Sequence, residues 1–188
     1  MENDKGERMT TLIVTGSPTS PSRTARLATI VSERLSALGE DSSLLDVRSI
    51  PAEDLAYARF DAPSIKAAVE RVEGARGLVI ATPVYKASYT GLLKAFLDLL
   101  PQFGLRDKVV LPLAVGGTVA HVLSIDYALR PVLQSLDALH VVPGLFALDK
   151  QITAKEDGSV ELDPDLSSKL DGVIGAYHLA LKRAQLTP

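Results

Sequence analysis

Ser17, Ser20, Ser22 and Thr24 put four hydroxyls on one short stretch, and Arg23 adds a guanidinium among them. Side chains of this kind bind phosphate, because hydroxyl and guanidinium groups donate short hydrogen bonds to its oxygens and the guanidinium contributes charge as well. The stretch follows Gly16 and the apolar run Leu12-Ile13-Val14, and it leads into a helical pattern that ends near Leu38. A strand therefore feeds a loop that opens a helix, and the unpaired N–H groups and positive dipole end of that helix face the same spot. No Gly-Lys-Ser/Thr follows, as a Walker loop requires, and the G-x-G-x-x-G dinucleotide turn is absent. A single phosphate held largely by hydroxyls suits flavin mononucleotide, FMN.

Two further loops carry groups that fit a flat ring. Residues 82–91 read Thr-Pro-Val-Tyr-Lys-Ala-Ser-Tyr-Thr-Gly. Pro83 stiffens the exit from a strand, and backbone amides around Val84 to Lys86 are expected to face the edge of a ring. Tyr85 reads as an aromatic wall or as simple packing. Lys86 reads as a solvated charge or as a stabiliser of negative charge on the reduced ring. Gly116-Gly117-Thr118 either turns the chain or lets backbone approach a planar ring closely.

The elements that must position these loops alternate in period. Strand-like runs occupy residues 10–15, 42–47, 77–82 and 108–115, with a fifth within 141–148. Helical patterns occupy residues 22–38, 63–73, 90–100, 119–136 and 163–184. Gly39 stops the first helix, and Asp61 is expected to cap the second, with Pro63 in its first turn. Residues 77–82, Gly-Leu-Val-Ile-Ala-Thr, are apolar without alternation, as in a strand covered on both faces. Residues 150–160 read as an exposed loop or turn. Five β–α alternations predict an α/β fold: a flavodoxin-like doubly wound five-stranded parallel sheet of order 2-1-3-4-5, in a single domain. In such a sheet ligands sit beyond the carboxyl ends of the strands at the switch point, where the three loops converge.

Composition narrows the function classes. A 188-residue chain with 46% apolar residues is most simply one globular domain, residues 10–186, behind a polar tail, residues 1–9, that is expected to be disordered. A net charge of −3 gives no long-range pull toward nucleic acid or anionic lipid. The chain has no cysteine, which removes disulfides, a thiolate nucleophile and the phosphate-binding cysteine of the small tyrosine phosphatases. His121, His140 and His178 are scattered, with no carboxylate at ligand spacing, so no metal site is expected. No apolar run is long enough to span a bilayer and the start lacks a signal-peptide core, so a cytoplasmic protein without a membrane partner is expected.

Four segments resemble the NADPH-dependent FMN reductase family, closest to the branch that serves bacterial alkanesulfonate utilisation. They are GSPTSPSRT, EDLAYARFDAPSIK, LVIATPVYKASYTGLLKAFLDLLP and KVVLPLAVGGTVAHVLSIDYALRPVL. The resemblance runs from about residue 11 to 150, and the last two segments carry most of it. It implies FMN phosphate at Ser17, Ser20, Ser22, Arg23 and Thr24, and the isoalloxazine near Pro83, Val84, Tyr85, Lys86, Gly116, Gly117 and Thr118. Thr19 departs from the family pattern, standing where arginine is common.

Pro131 interrupts the fourth helical pattern. Lacking an N–H, it leaves the Tyr127 carbonyl without its usual partner, and a one-residue bulge would let that carbonyl accept from Val132. With the family resemblance, this predicts a distorted helix at Tyr127, lying at a subunit interface near the flavin. The expected activity is hydride transfer from NAD(P)H to FMN, with reduced flavin passed to a two-component monooxygenase of the alkanesulfonate type. Such chemistry belongs to the cofactors, so no catalytic side chain is named. The alternatives are a quinone, azo or metal-oxyanion reductase that keeps FMN bound, and a flavodoxin-type electron carrier. The apolar surplus of residues 92–100, with the fourth helix, predicts a homo-oligomer, a dimer or, as the family suggests, a tetramer.

Overall fold

A computed structural model describes residues 10–138 and 140–185; the 1–9 tail lies outside them. Strands β1 (Thr10–Thr15), β2 (Asp41–Asp46), β3 (Gly77–Pro83), β4 (Val109–Gly116) and β5 (His140–Val141) form a parallel sheet of order β2-β1-β3-β4-β5. Both faces are covered. Helices α1 (Arg23–Ala37) and α6 (Pro164–Gln185) bury Leu27, Val31, Leu35, Leu170, Ile174 and Tyr177 against one side. On the other side, α3 (Pro63–Glu73) and α4 (Gly91–Leu97) bury Ile65, Val72, Leu93 and Phe96. Coverage on both faces is why β3 and β4 are apolar at successive rather than alternate positions. Among the described residues, no helix is long and apolar enough to cross a membrane.

The fifth strand is split. Pro143 and Gly144 interrupt it, and a second piece, β6 (Leu145–Leu148), resumes the pairing with β4. Gly144 is required there, because a Cβ would lie 2.7 Å from the Pro112 carbonyl oxygen. Asp61 does not cap α3: Ala62 occupies the cap position without a side-chain bond, and exposed Asp61 pairs with Lys66 at 3.5 Å instead. A short helix, α2 (Ala52–Ala56), was not expected from the sequence. Where residues 150–160 read as a loop, strands β7 (Ile152–Ala154) and β8 (Val160–Leu162) form a hairpin across residues 152–162, with Gly158 at positive φ in its turn.

The apolar surplus of residues 92–100 is hidden inside the chain. Helix α4 ends at Leu97, and the turn after it folds Leu99 and Leu100 into the core beside Leu93 and Phe96. Helix α4 therefore leaves no apolar surplus for association. A run of exposed apolar side chains lies further on, at Val119, Val122, Leu123 and Tyr127, among others scattered over the surface such as Tyr57, Phe60 and Leu179.

Tyr177 is fully buried beneath the start of β1, where its hydroxyl lies 3.1 Å from Thr11 Oγ1. Burial pushes its pKa far up, against the opposing pull of the Thr11 hydrogen bond. The unfolded phenol ionises near pH 10 while the folded one stays neutral, so this contribution to stability is complete below about pH 10 and is lost above it. Urea unfolding at about pH 8 and about pH 11 should show this alkaline loss in the wild type and less of it in Tyr177→Phe. The variant should also be about 1 kcal/mol less stable at neutral pH, from the missing hydrogen bond.

Candidate active site

The hydroxyl-rich loop leaves β1 at Gly16. Ser22 caps α1 by accepting the Ala25 N–H at 3.2 Å, which leaves its own hydroxyl proton free to donate. The next N–H groups, of Arg23 and Thr24, have no intrahelical partner by position and open onto the loop. Ser17 is buried at 4% exposure, with its hydroxyl 3.4 Å from that of Thr19, and Thr24 is buried at 1%. These groups line a polar cavity of about 300 Å³ at the carboxyl end of the sheet.

The second loop is a tight hairpin. Tyr85 N–H donates to the Ser88 carbonyl at 2.9 Å and Ser88 N–H returns to Tyr85 at 3.2 Å, with Lys86 and Ala87 both at positive φ between them. Positive φ at both central residues turns two strands tightly. The expected use of the amides around Val84 to Lys86 meets an obstacle here. Val84 N–H is bound to the Val115 carbonyl of β4 at 2.8 Å and Tyr85 N–H to Ser88 within the hairpin, so both are already engaged. Lys86 sits exposed at the tip, outside the lining of the cavity, whereas Pro83 and half-exposed Tyr85 line it.

Thr90 ties the two loops together. Its hydroxyl donates to the Gly16 carbonyl at 2.5 Å and accepts the Leu93 N–H at 3.1 Å, capping α4. Its own N–H donates to Thr82 Oγ1 at 3.2 Å, and Thr82 in turn donates to the Pro83 carbonyl. Thr82 and Thr90 are both buried, so the bonds are shielded from water.

In the third loop, Gly116 is small for a packing reason: a Cβ would meet the Phe146 ring at 2.8 Å. Gly117 lies beside Asp149, whose carboxylate lines the cavity and would sit 3.6 Å from an added Cβ. Thr118 caps a 3₁₀ turn, Val119–His121, by accepting the Ala120 N–H. Of the expected residues, Ser17, Ser22, Arg23, Thr24, Pro83 and Tyr85 therefore share one cavity. Ser20, Val84, Lys86, Gly116, Gly117, Thr118 and Tyr127 lie outside its lining. Arg26 and Asp149 line it without having been expected. A signal for Arg26 was present, because it lies three residues after Arg23 on the same helix.

The fourth helical pattern is broken as its proline predicts. Ile125–Leu129 forms a π-turn, and Arg130–Ser135 starts a fresh helix, α5, with Pro131 in the first turn, where no N–H is needed. A wide bond runs from Arg130 N–H to the Ile125 carbonyl across a π-turn that contains Tyr127, whose own N–H bonds to Leu123. Tyr127 projects at 79% exposure beside exposed Val119, Val122 and Leu123.

Hydroxyls and unpaired N–H groups at a helix start, with Pro83 and Tyr85 across a cavity at the sheet's switch point, are the layout of a flavodoxin-like fold with a ligand cavity in its usual place. The NADPH-dependent FMN reductase family model matches residues 9–153, and the chain belongs to that family. It is 44% identical to an FMN reductase (NADPH) of Escherichia coli strain K12, over 93% of this chain and 91% of that one. It is 33% identical to the NADH-dependent FMN reductase SfnE of Pseudomonas putida, over 91% of this chain and 95% of that protein. A crystal structure of an apo NADH:FMN oxidoreductase, EmoB, superposes with a TM-score of 0.83 at 39% identity, covering 92% of this chain and 89% of the other. The protein is thus an oxidoreductase working with FMN and a reduced nicotinamide nucleotide.

Proposed function

We infer that this chain is the reductase half of a two-component system, drawing an electron pair from NAD(P)H and releasing reduced FMN to a flavin-dependent monooxygenase of the alkanesulfonate type. The observation that supports this reading is the polar cavity at the switch point, which gathers hydroxyls, a helix start and Arg23 on one side and Pro83 and Tyr85 on the other. The residues fit FMN: Ser22 and Ser17 hydroxyls, the first N–H groups of α1 and the Arg23 guanidinium converge where a phosphate would sit. Bound there, FMN supplies the redox chemistry by accepting a hydride from the nicotinamide. The chain's part is positional: the phosphate loop fixes one end of the ligand, and Tyr85 and Pro83 bound the ring. Tyr127 and its apolar neighbours form the surface on which a second copy packs, giving a dimer or a tetramer.

Steady-state NADPH oxidation with varied free FMN, together with the flavin content of the purified protein, tests the reading. Colourless protein and saturable dependence on added FMN are expected. Tightly held flavin reducing quinones or azo dyes would instead place the chain with enzymes such as the FMN-dependent NADPH-azoreductase of Staphylococcus aureus, to which it is 28% identical. No NADPH oxidation on adding FMN would leave only an electron carrier. Ser22→Ala and Arg23→Ala should each weaken FMN about ten- to a hundredfold, the worth of one charge-assisted contact. Unchanged affinity in both variants, by flavin-fluorescence titration, would remove the phosphate from this loop.

A further inference from the structure

Arg26 lines the same cavity as Ser17, Ser22, Arg23 and Thr24. Three residues beyond Arg23 on α1, it shares that face of the helix, and a helical side chain sweeps back over the turn N-terminal to its own Cα. Its head is thereby brought toward the start of the helix. Arg26 is half-buried, more sheltered than exposed Arg23, and neither has an ion pair or side-chain hydrogen bond among the described residues. One exposed and one half-buried guanidinium without a partner border a cavity of about 300 Å³ whose lining also carries the Asp149 carboxylate, so an anion bound there meets one negative side chain and needs more than one cation to offset it. A phosphate monoester carries about −1.5 to −2 at neutral pH, more than one guanidinium balances.

We propose that Arg26 is a second phosphate-binding cation of this site, pairing with Arg23 to match the charge of the FMN phosphate monoester. This rests on the phosphate-loop reading of the cavity. Thr19 gives the cavity lining a hydroxyl without charge, and Arg26 adds a second positive charge from one turn along the helix.

The test is titration of the full-length wild type, Arg26→Ala and Arg26→Lys with FMN and with riboflavin, which has the same ring and no phosphate, followed by KM values for NADPH and NADH. Wild type should prefer FMN over riboflavin; equal affinities would overturn the phosphate-loop reading itself and the proposal with it. Given that preference, Arg26→Ala should weaken FMN by about ten- to a hundredfold and leave riboflavin unchanged. Arg26→Lys should recover part of the loss, keeping the charge without the planar fork. An equal loss for both flavins, or no loss for either, would overturn the role of Arg26. A loss confined to NADPH over NADH would overturn it too, assigning Arg26 to the phosphate of the nicotinamide nucleotide. Unchanged circular dichroism and melting temperature in Arg26→Lys establish that the fold is intact.

Discussion

Gly16→Ala should abolish saturable FMN binding and lower unfolding free energy by about 1–3 kcal/mol, the usual cost of forcing atoms into a packed interior. An alanine Cβ at this position would lie 2.5 Å from Leu93 Cβ and 3.1 Å from its Cγ. Leu93 cannot retreat, being wholly buried on the core-facing side of α4. Nor can Gly16 move freely, because its N–H is bound to the Ala81 carbonyl at 2.9 Å and its own carbonyl to Thr90. Relief therefore comes by displacing the phosphate loop or the first turn of α4, and either separates the two halves of the cavity. Flavin titration and urea unfolding of the variant check both numbers. A folded Gly16→Ala protein with wild-type FMN affinity would show that the loop and α4 are not mechanically joined.

Thr90→Val tests the same joint by chemistry rather than by bulk. The substitution keeps the shape but leaves the buried Gly16 carbonyl without its donor and the Leu93 N–H without its acceptor. Each orphaned buried group costs about 1–3 kcal/mol, and loss of the helix cap about 1 kcal/mol within that sum, so a drop of roughly 2–4 kcal/mol is expected. Thr90→Ser retains both bonds and should recover most of it. If the network positions the phosphate loop, Thr90→Val should also raise the KM for FMN, with kcat changed less, and the serine variant should restore both. A stability loss without any change in KM would make Thr90 a fold residue only.

Much of this architecture was legible in the residues, and its gaps have physical causes. Continuous apolar runs marked β1, β3 and β4 because sheets covered on both faces lack alternation. Pro131 announced a distorted turn because an absent N–H is a fact of composition, but where the wide bond would form depended on how Pro131 joined α5. The Asp61 cap failed because a plausible capping residue one place too early competes with its own exposure to water. The split fifth strand was hidden because Gly144 answers to Pro112, thirty-two positions away. The site shows the same division. Hydroxyls beside a helix start declare themselves locally, whereas Thr90, Asp149 and Arg26 acquire meaning only once distant segments meet.

The self-bonded hairpin bears on which ligands the protein can tell apart. With the Val84 and Tyr85 amides already engaged by Val115 and Ser88, two of the backbone donors nearest the cavity wall are withdrawn from the rim of an aromatic heterocycle. Discrimination then falls to the anionic tail, and changes to the heterocycle itself are tolerated. Flavins with altered rings but an intact phosphate ester should pass through this enzyme more readily than natural flavin stripped of that ester.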